Sequence, residues 1–147
     1  MLFFAKSQPA GDYKCGDVLE LLKNDFKNKC YICECKESLI SRNTEHFIPH
    51  KGDKNLKFDW NNLFWSCSHW NNTKLAKYDN ILNCTDIDDK IEEKLKYKIK
   101  PFPFEKVKIE ALDNNEKTIN TKELLLDVYN GTTKLFTTVH IIKRYRI

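Results

Sequence analysis

Glycine and proline are scarce in these 147 residues, four of each. That excludes a collagen-like, linker-like or low-complexity composition. There is no internal repeat, so a solenoid is excluded as well. No stretch approaches the roughly 20 apolar residues that crossing a bilayer requires. The opening Met1–Lys6 is too short for a signal-peptide core and has no basic flank before it, which predicts a cytoplasmic chain with no membrane partner. Charge of one sign is lacking too: 25 Lys and Arg stand against 21 Asp and Glu, a net +4. A balance this mildly basic permits a polyanionic partner without demanding one. The 41% apolar content is ordinary for a globular protein, and the length predicts a single domain over residues 1–147.

Six cysteines are present, yet their spacing is not that of a disulfide framework. Cys30, Cys33 and Cys35 are crowded, whereas Cys15, Cys67 and Cys84 are scattered. In a cytosolic chain Cys-x-x-Cys points to a metal or to redox chemistry. The strand-helix alternation of a thioredoxin-like motif is missing around Cys30, so zinc is the better reading. Cys15 and Cys84 read as small buried hydrophobes.

The apolar periodicity predicts a helix over about Asp17–Lys27, with Asp17 and Glu20 as a capping box and Val18, Leu19, Leu22 and Phe26 on one face. A strand follows around Thr44–Ile48, ended by Pro49, with a loop at Lys51–Lys54. Another helix starts after Cys67 and runs through about Tyr78. A further one is expected from Asp86 to Lys98, with a stripe of Ile87, Ile91 and Leu95. Pro101–Phe104 forces an extended link. Val107–Leu112 alternates with period two and reads as a strand. Asn120 and Glu123 predict the start of a helix that holds Leu124, Leu125 and Val128 and stops near Asn130-Gly131. The apolar, basic end from Thr133 to Ile147 reads as an element still in progress, as in a shortened form or an end that packs on a partner.

Between Cys30 and Lys74 the residues form an ordered set. Cys30-Tyr31-Ile32-Cys33 is a knuckle, and Glu45-His46-Phe47-Ile48-Pro49-His50 pairs an acid with a histidine on an apolar strand. Asn61-Asn62-Leu63-Phe64-Trp65-Ser66-Cys67-Ser68-His69-Trp70-Asn71-Asn72-Thr73-Lys74 then brings a Cys, two key Asn positions and a Lys. This order resembles the HNH, or ββα-metal, nuclease motif over roughly a third of the chain. The resemblance implies an α+β fold: a ββα-metal HNH core with a zinc knuckle at about 28–80, a helical N-terminal part at 1–27, and a small C-terminal β/α extension at 81–147.

Phosphodiester hydrolysis needs a base for water, a divalent cation at the phosphate and a rigid frame. The resemblance makes His46 the base, Glu45 and Asn71 the ligands of a catalytic Mg²⁺ or Mn²⁺, and Asn62 the residue that holds the loop and orients the imidazole. Lys74 would meet a phosphate, and His50 is an accessory contact or ligand. Oxygen donors suit a hard cation. Because neighbours on a strand face opposite ways, Glu45 and His46 would need a bulge or twist to serve one site.

Structural Zn²⁺ would take Cys30, Cys33 and Cys67, but Trp70 stands where the family has its fourth ligand, and Trp cannot ligate zinc. His69 is the first choice of substitute; Cys35 or a water are the others. The implied function is a metal-dependent endonuclease cutting DNA, with RNA the alternative substrate. Glu45–Asp53 and Leu63–His69 look like bacterial HNH proteins of antiphage defence loci, some of which work beside a gating ATPase, as in Septu and certain retron systems. A degenerate module that binds nucleic acid or a partner without cutting is the alternative, and a zinc-ribbon interaction domain is the third. Trp60, Phe64, Trp65 and Trp70 read as core packing.

Overall fold

The computed structural model describes residues 16–34, 36, 42–68, 70, 71, 74, 78, 80–98 and 106–130. These form a mixed α+β protein with two small antiparallel sheets, and the chain divides into two compact units. Among the described residues no helix is long and apolar enough to cross a membrane.

The first unit holds the described residues before Thr73, together with Cys84–Ile87. Helix α1, Gly16–Asp25, buries Val18 and Leu22, and Phe26 just past its end is buried too, the face expected from the i, i+4 spacing. It begins one residue before Asp17, so this carboxylate sits in the first turn against the helix dipole rather than at the cap. Glu20 pairs with Lys23 instead of capping. The helix stops without glycine: Lys27 and Asn28 take left-handed φ of 53° and 55°. The Lys27 amide bonds the Asn24 carbonyl and the Asn28 amide reaches back to Lys23, which satisfies two terminal carbonyls.

Strand β1, Arg42–His46, pairs with β2, Leu63–Cys67, antiparallel in an unbroken register from Arg42–Cys67 to His46–Leu63. Every residue of β2 is buried, because α1 packs on it. Phe26, Tyr31, Phe47 and Phe64 form one aromatic cluster, with ring centroids 4.8–6.5 Å apart. The strands are joined by a loop bearing a short helix, α2, Lys54–Phe58, and a 3₁₀ turn, Trp60–Asn62. Asp53 and Asp59 cap these, each accepting from an amide two residues on. After Cys67 the backbone at Ser68, Trp70, Asn71 and Lys74 is helical, as expected; Tyr78 no longer is.

The second unit holds the described residues of Thr73–Asn83 and those from Asp88 on. Here the expected helix over Asp86–Lys98 is replaced by a 3₁₀ turn, Ile87–Asp89, a single helical turn α3, Ile91–Lys94, and strand β3, Leu95–Lys98. Lys90 takes a left-handed conformation, φ 42°, which no continuous helix allows. Ile87 is 73% exposed, so the proposed apolar stripe does not exist. Strand β4, Lys108–Ala111, pairs antiparallel with β3, as the alternation over Val107–Leu112 anticipates. Helix α4, Glu116–Asn130, packs on β4 and starts four residues ahead of Asn120. Its cap is Asn115, whose side-chain oxygen accepts from the Lys117 amide. Pro101–Phe104 and the stretch from Thr133 lie outside the described residues.

Candidate functional site

Cys30, Cys33 and Cys67 come together in the first unit. All three thiols are buried, and their sulfurs lie within 4.8 Å of one another. Tetrahedral zinc with bonds of about 2.3 Å sets its sulfurs roughly 3.8 Å apart, so the trio fits such an ion with small adjustments. The knuckle closes through the Glu34 amide on the Cys30 carbonyl, and the Tyr31 amide ties it to the Trp65 carbonyl of β2.

The three thiols are not equivalent. Burial raises Cys30, but hydrogen bonds from the thiols and backbone amides of Cys33 and Cys67 outweigh it and hold Cys30 well below the ordinary thiol value. Donating to Cys30 pushes Cys33 well up and Cys67 up to about 12. Three buried sulfurs in mutual contact, one of them shifted toward the thiolate, are what a zinc ligand set looks like before metal replaces its protons. The Trp70 backbone supports the Cys67 sulfur, and the Ser66 hydroxyl lies 3.8 Å from that of Cys30. Trp70 is itself buried. His69 and Cys35, the two protein candidates for a fourth ligand, lie outside the described residues, as does Cys15. Cys84 is fully buried, as its reading as a hydrophobe expects.

A second arrangement surrounds His46. Asn62 is 4% exposed and its amide spans the β1–β2 loop. Its oxygen accepts from the Ile48 amide at 2.7 Å, while its nitrogen donates to the carbonyls of Ile48 and Leu56 at 2.9 and 3.0 Å. The next carbonyl, that of Lys57, lies 3.0 Å from His46 Nε2. A carbonyl only accepts, so Nε2 carries the hydrogen and the imidazole lone pair is on Nδ1. The Asn62 backbone carbonyl also takes the Phe47 amide. One asparagine thus fixes the loop whose carbonyl sets the histidine's tautomer.

His50 sits beside this ring, centroids 4.7 Å apart and planes at 68°. Its Nδ1 accepts from the Gly52 amide at 3.1 Å. The glycine is needed there because its φ is +93°.

Glu45 leaves β1 on the other side. The ladder runs through Glu45 and His46 with no bulge, so the two neighbours face opposite ways. The Glu45 carboxylate is 3% exposed and accepts from the Tyr31 hydroxyl at 3.0 Å. Burial first, then the Glu45 charge and that hydrogen bond, push the Tyr31 phenol well above its ordinary value, so it remains a donor. Nothing about Tyr31 in the sequence beyond its place between two cysteines points to this role. Asn71 is half-buried, and its Oδ1 is buried with no hydrogen-bond partner among the described residues. Lys74 is buried, 3% exposed, and belongs to the second unit.

Comparison with protein-family models, with curated proteins and with solved structures finds no match for this chain.

Proposed function

We propose that the chain is a metal-dependent endonuclease of the HNH type, with a ββα-metal core that hydrolyses phosphodiester bonds in DNA. The observation that carries this reading is the hydrogen-bonded path from Asn62 through the loop to His46. An asparagine bracing the loop that orients a histidine is the relation the motif calls for, and it supports this reading. His46 accepts a proton from water at Nδ1 while its Nε2–H stays on the Lys57 carbonyl. As the water oxygen bonds to phosphorus, the bond from phosphorus to the leaving oxygen breaks. Asn62 contributes by holding ring and loop in one geometry, which keeps the reacting atoms aligned.

Asn71 is the residue that would hold a hard cation such as Mg²⁺ or Mn²⁺; Glu45, turned away from His46 onto the Tyr31 hydroxyl, does not fit the ligand role the resemblance implies. The orphaned, buried Asn71 oxygen fits that role, since buried polar atoms rarely go without a partner. Such an ion supplies Lewis-acid stabilisation of charge on the phosphate. Lys51 and Lys54 are exposed on the same loop as His50. Lys51, Lys54 and Lys57 outnumber Asp53 and Asp59 on this loop, which leaves it mildly cationic toward a phosphate backbone. Zinc at Cys30, Cys33 and Cys67 would serve as the frame. A place in antiphage defence, beside a gating ATPase, belongs to the same reading.

A plasmid-nicking assay with Mg²⁺ and Mn²⁺ tests it: the wild type cuts and His46→Ala does not. Equal cutting by both removes His46 as the base. The burial of Glu45 on Tyr31, facing away from His46, favours a second reading, a module that binds nucleic acid or a partner without cutting. A gel shift with no cleavage under either metal would select it.

A further inference from the structure

Two histidines in contact are held in opposite tautomers. His46 donates at Nε2 to the Lys57 carbonyl, which places its lone pair on Nδ1. His50 accepts at Nδ1 from the Gly52 amide, which places its hydrogen on Nε2. One ring offers an acceptor and the other a donor, with centroids 4.7 Å apart. A phosphate and the water attacking it need both, an acceptor for the water proton and a donor for the phosphate oxygen, each bonding at about 2.7–3.0 Å.

Both rings ride on one frame. Asn62 clamps Ile48 at its amide and its carbonyl, two residues from each histidine, and Asp53 donates its amide to the His50 carbonyl. His50 is half-buried, so a donor there is partly screened from water yet open to a ligand. A preset donor aimed where negative charge develops is the arrangement that stabilises a phosphoryl transition state.

We infer that His50 is a second catalytic residue, donating its Nε2–H to a non-bridging oxygen of the scissile phosphate while His46 takes the proton from water. No proton leaves His50: the bond strengthens as charge builds on the phosphate and relaxes afterwards. This rests on the nuclease reading above.

The test compares His50→Gln with His50→Leu, side chains of similar bulk of which only Gln keeps an N–H donor. Nicking of plasmid DNA is followed under Mn²⁺ across a pH series, with bound zinc and thermal melting measured on each protein. The expected result is a roughly hundredfold lower kcat for Leu, most of the activity retained by Gln, and an acid limb of the pH profile that both variants share with the wild type. Leu cutting as fast as wild type, or Gln failing as badly as Leu with zinc and melting unchanged, overturns the donor role while leaving the nuclease standing. A wild type that cuts under no condition overturns both.

Discussion

The Tyr31 hydroxyl donates to Glu45 Oε1 across 3.0 Å, joining the centre of the cysteine knuckle to the strand that carries His46. Tyr31 is fully buried and Glu45 nearly so. The ring is held by Phe26, Phe47 and Phe64, so its hydroxyl has little freedom to look elsewhere. Tyr31→Phe removes the donor and leaves the packing. A hydrogen bond to a charged, buried group contributes about 1.5–3 kcal/mol. Urea unfolding of the zinc-loaded protein should show a loss of that size, with zinc content unchanged. A loss below about 0.5 kcal/mol would mean water replaces the phenol without cost.

Asn62 holds three partners, and removing it orphans all of them at once. Asn62→Ala should cost about 3 kcal/mol or more in chemical unfolding, since each buried group left unpaired costs about 1–3 kcal/mol. Asn62→Asp should do no better, because a carboxylate cannot donate to the Ile48 and Leu56 carbonyls. The ring nitrogens of His46 report the consequence by NMR. In the wild type the hydrogen sits on Nε2, and in Asn62→Ala the two tautomers should mix as the Lys57 carbonyl drifts.

How far the sequence discloses this molecule depends on which residues carry a local rule. Val18, Leu22 and Phe26 obey helical spacing, and Lys108–Ala111 obey period two, so those elements are readable. Cys30, Cys33 and Cys67 are recognisable as candidate metal ligands because their spacing and chemistry are rare, and they do meet in one buried cluster. The stretch Ile87 to Lys98 is where local rules mislead. Its charges suit a helix dipole, yet Leu95 and Tyr97 alternate with Lys96 and Lys98, and pairing with β4 decides the outcome. The Asp113-Asn114-Asn115 run carried the true helix start. Asn120, whose type suggests a helix start, lies inside α4 and donates to the Asn80 carbonyl. Side-chain hydrogen bonds over long separations are the least legible. No spacing rule links Tyr31 to Glu45, nor the Lys57 carbonyl to His46.

On the surface of the second unit Lys98 pairs with Glu110 across the β3–β4 ladder. The Lys98 hydrogen bond is the main reason the Glu110 carboxyl lies below its ordinary value, with nearby lysines helping. A depressed carboxyl stabilises the fold above its unfolded value and loses that effect as pH falls through the folded one. Lys98→Ala should therefore raise the Glu110 midpoint in an NMR titration. Because the pair is exposed, it should scarcely move the melting temperature.

The end of α1 makes a prediction of opposite sign. Lys27 holds φ at 53°, a conformation that costs an ordinary residue roughly 1 kcal/mol and glycine almost nothing. Its amide still bonds the Asn24 carbonyl, and glycine retains that donor. Lys27→Gly should raise stability by about 0.5–1 kcal/mol, read as a higher urea midpoint with an unchanged slope. A fall would show that the lysine side chain contributes more than its backbone strain removes.

Metal binding at the knuckle should be strongly pH-dependent, and the sign follows from the three thiols. Zinc binds thiolates, so a thiol that is already ionised releases nothing and each protonated one releases a proton. Cys30 is held low, while Cys33 is held high and Cys67 is pushed up to about 12. Cys33 and Cys67 therefore hold their protons until zinc expels them. The logarithm of the apparent zinc affinity should rise steeply with pH near neutrality, because at least the Cys33 and Cys67 protons are released on binding. Competition with a chromophoric chelator across a pH series measures it. Cobalt(II) titration should meanwhile show the strong thiolate charge-transfer band of a sulfur-rich tetrahedral site. Cys67→Ser should abolish that band and leave the β1–β2 unit unfolding at lower temperature. A slope near zero would place the ion elsewhere and end the assignment of these three residues as its ligands.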